Sequence, residues 1–282
     1  MKKRDKIKKS AVLALIVLIM GSCGGLRHKS VELSADSVKL RTVTVIDTTS
    51  YMLGNAQKCS VTAEAAITFP EGYKDEATTE QLQKLFASSV LDVQADSMQI
   101  DSAFARYAKN VLGQYGEEQD EVEYDKDERV VVSNYNSRTV IKPTYNKNGI
   151  ITFEKEEVTM KNEKVTMTTH SYINISLRSM GVIEMSNIFA EDVLADVSDL
   201  LKRKLLQQLG AKDEGDLIDM GYFNLDNVVA HGNFAIGDDG ISWTFGIYDI
   251  ACYSVGETVI TLGYDLLKPY MIEGCEVAEL AK

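Results

Sequence analysis

The sequence has no Cys-x-x-Cys, and its four cysteines, Cys23, Cys59, Cys252 and Cys275, sit at spacings that suit no zinc site. Its three histidines, His28, His170 and His231, also lack ligand spacing, so no metal centre is expected. A Gly-x-Ser-x-Gly elbow is missing, which removes the hydrolase chemistry built on it, and so is a phosphate-binding glycine loop. No cofactor is expected. Positive charge is scarce: 30 Lys and Arg against 42 Asp and Glu leave a net −12, which argues against nucleic acid or an anionic lipid face as partner. Finally, no apolar run reaches the ~20 residues of a membrane-spanning helix; the run from Ala11 to Met20 is about half of that.

That short run has a different meaning. Lys2, Lys3, Arg4, Lys6, Lys8 and Lys9 precede it, and Met20-Gly21-Ser22-Cys23 follows it. A basic head, a brief greasy stretch and small residues describe an export signal. Met20-Gly21-Ser22-Cys23 resembles a lipobox, with cleavage after residue 22 and diacylglycerol attached through the Cys23 sulfur. The expectation is a lipid anchor, each buried methylene of which contributes about 0.8 kcal/mol. The residues after Cys23 are not acidic, which favours an outer-membrane anchor facing the periplasm over surface display. Loss of residues 1–22 removes six basic groups and one acidic, taking the charge from −12 to −17.

Residues 23–56 read as a lipidated tether that runs into a candidate edge strand, Leu40 to Ile46. A single domain is expected over 57–282, with an N-terminal part to 210, a C-terminal part over 211–270 and a tail. Ser60 to Phe69 alternates with Val61, Ala63, Ala65 and Ile67 on one face, and Pro70-Glu71-Gly72 should end it. Thr78 and Gln81 suggest a capping box for a helix that buries Leu82, Leu85, Phe86, Val90 and Val93. A second helix, about 102–115, turns Phe104, Tyr107, Ala108, Val111 and Leu112 inward, and the acidic stretch 117–129 reads as a solvated helix end and loop. Three strands over 130–140, 149–160 and 164–177 are separated by turns short enough to force antiparallel pairing. A long helix from Glu191 to Leu209 ends at Gly210, and late strands Asn233–Ile236 and Ile241–Ile247 flank Gly237-Asp238-Asp239-Gly240. The class is α+β: an antiparallel sheet of five or more strands with long helices on one face.

Several residues invite chemistry. Asp238 and Asp239 could be paired carboxylates, but between two glycines Asp serves the turn. Asp213, Glu214, Asp216 and Asp219 do not follow calcium-loop spacing and read as a solvated linker. Cys252 and Cys275, the nearest pair of cysteines in an oxidising compartment, are the candidate disulfide, although spacing does not fix the pairing. The candidate recognition site is the Tyr248–Gly256 loop, with Tyr248, Asp249 and Tyr253 beside the only tryptophan, Trp243. Tyrosine offers large contact area at small entropy cost. The competing reading packs both tyrosines against the sheet edge.

The late segment carries a resemblance. Phe234-Ala235-Ile236, Ile241-Ser242-Trp243-Thr244-Phe245, Tyr248-Asp249-Ile250-Ala251, Tyr253, Gly256, Val259-Ile260-Thr261-Leu262, Tyr264 and Leu266-Leu267 resemble the extracellular DUF3298/DUF4163-type domain. That domain is shared by RsiV-type lysozyme-sensing anti-sigma factors and PdaC-type peptidoglycan deacetylases. Met180-Gly181-Val182-Ile183 and Ile188-Phe189 extend the likeness upstream. The family's Gly-Gly-Ala-His reads Met167-Thr168-Thr169-His170 here, and its Ala-Pro-Tyr reads Ala251-Cys252-Tyr253. No anti-sigma or deacetylase effector is expected on either flank. The resemblance implies a non-catalytic envelope lipoprotein that binds a protein or a peptidoglycan-type glycan, with lysozyme-type muramidases the sharpest candidate. The alternatives are a structural or stress-response lipoprotein with a dedicated protein partner, and a polysaccharide hydrolase or deacetylase.

Overall fold

A computed structural model describes residues 15–17, 38–53, 57–94, 99–118 and 134–281. Cys23, nearly all of the expected leader, most of the expected tether and the acidic stretch beyond residue 118 lie outside them. In chain order the strands of the large sheet are β1 (Leu15–Val17), β2 (Lys39–Leu53), β3 (Gln57–Gly72), β4 (Tyr135–Lys147), β5 (Ile150–Lys161), β6 (Lys164–Ser176) and β7 (Gly181–Val182). They lie side by side in that order. Leu15–Val17, part of the apolar run of the expected leader, pairs with Thr44–Ile46 along the outer edge of β2.

The sheet is mixed, which corrects the purely antiparallel expectation. Every neighbouring pair is antiparallel except β3 and β4, where Val61 lies opposite Tyr135 and Ile67 opposite Ile141 in parallel register. The cause is the connection. Helices α1 (Glu76–Ser89) and α2 (Ile100–Glu118) stand between these strands, and only so long a crossover can return the chain in the same direction. The crossover lays both helices on one face of the sheet. Val61, Ala63, Ala65, Ile67 and Phe69 of β3 are buried there against Leu82, Phe86, Phe104, Tyr107 and Leu112. Phe86 meets Phe153 edge-on at 4.9 Å, and Phe69 meets Phe104 at the same distance. Each such side chain contributes about 1.5–3 kcal/mol by burial.

Local chemistry sets the ends of these elements. The α1 cap is Asp75, whose carboxylate accepts from Thr78 N at 2.7 Å; the capping box expected at Thr78 lies one turn too late. β3 ends within Pro70-Glu71-Gly72 as expected, at Gly72, with Pro70 still paired to Leu40 and a bulge before the last rung. The β4–β5 turn is Asn148-Gly149 with φ of 56° and 77°, and the β5–β6 turn is Asn162-Glu163 with φ of 50° and 66°. Positive φ at both central residues is the hairpin geometry that matches strand twist.

The second core is built separately. Helix α3 (Leu194–Leu209) begins as a 3-10 turn at Glu191 and ends on Gly210 at φ 67°. Its Val197, Leu201 and Leu205 pack on a three-stranded antiparallel sheet of β8 (Phe234–Ile236), β9 (Gly240–Phe245) and β10 (Thr258–Gly263). Short helices α4 (Glu214–Asp219) and α5 (Tyr264–Leu267) complete this half. The late strands therefore form their own sheet instead of extending the large one. Gly240 permits their close approach: at φ 152° it sits against the Leu262 carbonyl, where any Cβ would collide.

Two asparagines join the sheets. Asn174 of β6 donates from Nδ2 to Phe234 O at 2.8 Å and accepts at Oδ1 from Ile236 N at 2.9 Å. Its amide thus replaces a backbone rung between β6 and β8. Asn233 accepts from Tyr172 N at 3.1 Å and donates to His170 O at 3.0 Å. The edge of the small sheet is satisfied by side chains where no strand could reach it.

Candidate functional site

The chain leaves β9 through a four-residue turn. Asp249 N donates to Gly246 O at 3.2 Å, and Gly246 N donates to Asp249 Oδ2 at 2.7 Å. Tyr248 stands inside this turn at φ 71°, a conformation costly for a bulky residue, and its side chain is 61% exposed. Ile250 and Ala251 then plunge into the second core. The loop is clamped from outside, because Phe223 N donates to Ile250 O and Cys252 N donates to Gly221 O at 2.8 and 2.9 Å. A further turn closes on Cys252 O and throws Tyr253 out to 59% exposure. The Tyr248 and Tyr253 rings lie 6.1 Å apart and tilted by 35°. They face solvent as a pair and do not pack the sheet edge.

The other expected members of this site have different places. Trp243 is wholly buried in the second core, beside Phe234, and no ligand can reach it; this corrects its assignment to recognition. Asp249 spends one carboxylate oxygen on the turn, so its work is to hold Tyr248 in position. Cys252 and Cys275 are free thiols and are not joined. The Cys252 thiol touches Ser254 Oγ at 3.1 Å, and that hydroxyl together with the Val255 amide holds its pKa below the usual thiol value.

The stretch of chain that carries the tyrosines is acidic, and the segment that clamps their loop has apolar side chains exposed. Ile218 and Met220, 61% and 45% exposed, lie on and just after α4, whose exit is the Gly221–Phe223 stretch that clamps the loop. From Asp213 to Leu267 there is no lysine or arginine, while Asp213, Glu214, Asp216, Asp219, Asp226, Asp238, Asp239, Asp249, Glu257 and Asp265 are all acidic. This base-free run was legible in the sequence but is obscured by an averaged net charge. Several of the acids are structural: besides Asp249 in its turn, Asp213 caps α4, Asp216 accepts from Lys212 N at 2.8 Å, Asp238 pairs with Lys147 and Glu257 with His170.

His170 is set between two carboxylates, with Nδ1 at 3.0 Å from Glu257 and Nε2 at 3.6 Å from Glu156. The carboxylates address opposite nitrogens, so the trio ties β6 to the start of β10 and does not converge on one ion. Among the described residues no three His, Cys, Asp or Glu side chains are arranged to hold a metal. Nearby, Tyr172 donates to Glu154 at 3.1 Å, and its pKa is pushed up to about 12 by burial and by that carboxylate.

Sequence reasoning missed a cleft of about 520 Å3 where the two halves meet. Its walls include Tyr73, Lys74, the β4–β5 turn from Tyr145, Arg178, Asp238, Tyr264 and Glu279. Lys147 pairs with Asp238, and Arg178 holds Glu279 through two bonds of 2.8 Å. These residues come from distant parts of the chain, so no local motif announces them.

Residues 186–265, the stretch from the approach to α3 through to α5, match the family model described as "Protein of unknown function (DUF3298)". This chain carries a DUF3298 domain. The likeness in fold extends further than that match. A member of the DUF3298 family from Bacteroides fragilis NCTC 9343 superposes with a TM-score of 0.68 at 15% identity, over 87% of this chain and 98% of that one. A DUF3298 family protein from Pseudomonas aeruginosa PAO1 does so with a TM-score of 0.55 at 13% identity, over 86% and 98%. At such identities the likeness is one of fold. No curated protein matches. The DUF3298 match thus covers most of the second core, with its tyrosine-bearing loop, while the fold shared with these structures takes in the large sheet as well. Among the described residues no helix is long and apolar enough to cross a membrane.

Proposed function

We propose that this DUF3298-containing chain is a non-catalytic lipoprotein, anchored through Cys23 in the outer membrane and facing the periplasm, that binds a basic protein with its Tyr248–Gly256 loop. The observation that carries this reading is the pair of exposed tyrosines, each about 60% exposed, held on a clamped loop within a run of chain that has no lysine or arginine. A rigid aromatic pair supplies contact area, and the acidic field around it accelerates encounter with a cationic partner. Lysozyme-type muramidases are small and basic, and they are the sharpest candidate.

Titration of the soluble 24–282 fragment against a c-type lysozyme tests this. A complex with submillimolar Kd is expected at about 20 mM salt, weakening roughly tenfold by about 150 mM as the charges are screened. Changing Tyr248 and Tyr253 to serine should cost at least about 1 kcal/mol of binding each, as anchor residues do. Absence of any complex below millimolar concentration at low salt would remove the muramidase from consideration.

A further inference from the structure

The cleft between the two halves gathers cations that are scarce elsewhere in this acidic chain. Its volume of about 520 Å3 lies within the roughly 300–1,000 Å3 of small-molecule sites. It presents three cations, Lys74, Lys147 and Arg178, and two acids, Asp238 and Glu279, in a chain whose net charge is −12. Both acids are already paired within the cleft, Asp238 with Lys147 and Glu279 with Arg178. Lys74 makes no ion pair with any described residue, and its ammonium rests 4.9 Å from the centre of the Tyr73 ring. Among the residues that line the cleft, Lys74 is thus the one cation not taken up by an ion pair, with Asp75 as its neighbour in the chain.

The remaining groups suit hydroxyls. Asn148 donates to the Tyr145 hydroxyl at 2.7 Å, which leaves the phenol proton and the other amide hydrogen free to bond elsewhere. Carboxylate, guanidinium and amide groups are planar and multidentate, and they match vicinal hydroxyls. Asn148 and Gly149 hold this arrangement on a tight turn, with φ of 56° and 77°. A Cβ at Gly149 would meet nothing within 4 Å, so the backbone there is open to the cleft.

We propose that this cleft binds a carboxylated saccharide, with Lys74 taking the carboxylate and the Lys147–Asp238 and Asn148–Tyr145 pairs taking ring hydroxyls. The proposal rests on the envelope placement above but not on the protein-binding loop. Lys147 and Arg178 also brace the two halves through their ion pairs, so the ligand spans the seam between them.

Calorimetric titration of the full chain in detergent tests it, with three disaccharides as probes. N-acetylglucosaminyl-N-acetylmuramic acid carries a lactyl carboxylate, a glucuronic-acid disaccharide carries a uronic one, and diacetylchitobiose carries none. At least one acidic disaccharide should bind saturably and about tenfold more tightly than chitobiose, a ratio of about 1.4 kcal/mol. The tighter of the two acids names the source of the carboxylate. Lys74→Gln should erase most of that preference while the unfolding midpoint stays put, because Lys74 is exposed and supports no ion pair. Equal binding of all three disaccharides, an unaltered affinity in Lys74→Gln, displacement by inorganic phosphate at equal concentration, or no saturation by about 10 mM, weaker than the roughly −4 kcal/mol of a millimolar site, would each overturn the proposal. Tyr253→Ser should leave saccharide binding unchanged, so a failure here and a failure of the loop reading are seen separately.

Discussion

His231 shows how one side chain records its surroundings. Its ring stands edge-on to Phe245 at 4.7 Å, and its Nδ1 accepts from Asn233 N at 3.1 Å. Burial holds its pKa below the usual histidine value, and the nearby Asp249 offsets this only in part. The unfolded chain therefore takes up the proton first as pH falls. The stability associated with neutral His231 is complete above about pH 6.5 and is lost as the pH drops from there through the lower folded pKa. His231→Gln keeps an acceptor for Asn233 N without the titration. Urea midpoints measured from about pH 7 down to about pH 5 should fall less steeply in that variant than in the parent. Trp243 is instructive in the opposite way. Tryptophan is common at binding surfaces, so its place beside a tyrosine loop suggested recognition, yet it is among the largest buried side chains and its indole Nε1 finds no acceptor among the described residues. It fills the space between the small sheet and α3, and the exposed tyrosines do the presenting.

At the scale of elements, hairpin turns were the most legible features. Asn148-Gly149 and Asn162-Glu163 both occupy positive φ at both central positions, and the strands that meet there pair antiparallel. Glycine suits the second position because it has no Cβ to clash, whereas Glu163 carries one at φ 66°. Glu163→Gly should therefore raise stability by about 0.5–1 kcal/mol, read as an increased urea midpoint with an unchanged m-value. A decrease would mean that the Glu163 side chain contributes more than its backbone costs. The parallel junction of β3 and β4 was not legible. The alternation along β3 places Val61, Ala63, Ala65 and Ile67 on one face whichever way its neighbour runs, so periodicity carries no information about direction. Direction follows from the crossover, and only the packed helices reveal how that crossover is laid.

At the scale of the molecule, two hydrophobic cores share few side chains, and buried polar groups hold them together. Residues 150 and 151 mark the seam: Ile150 belongs to the second core and Ile151 to the first. Asn174 crosses that seam with its two bonds to β8, and Thr152 Oγ1 lies 2.9 Å from both Asn174 Oδ1 and Ile236 O. Asn174→Ala would leave the Phe234 carbonyl and the Ile236 amide unpaired in the interior, a loss of about 2–5 kcal/mol. Fluorescence of Trp243, which reports the second core alone, should then fall at lower denaturant than the far-ultraviolet helix signal, to which α1 and α2 of the first core also contribute; coincident, unshifted transitions would show that the asparagine is dispensable.

The helix stripes, the hairpin turns and the acidic bias all follow from neighbours in sequence, because each depends on spacing of a few residues or on composition. The late-strand pattern, matched by the DUF3298 model, is equally local. Tertiary structure alone decided the direction of β4, the division into two sheets, the burial of Trp243 against the exposure of Tyr248 and Tyr253, and the existence of the cleft. Those outcomes depend on which distant segments come into contact, and contact between segments a hundred residues apart, such as Arg178 and Glu279, leaves no periodic trace in the chain.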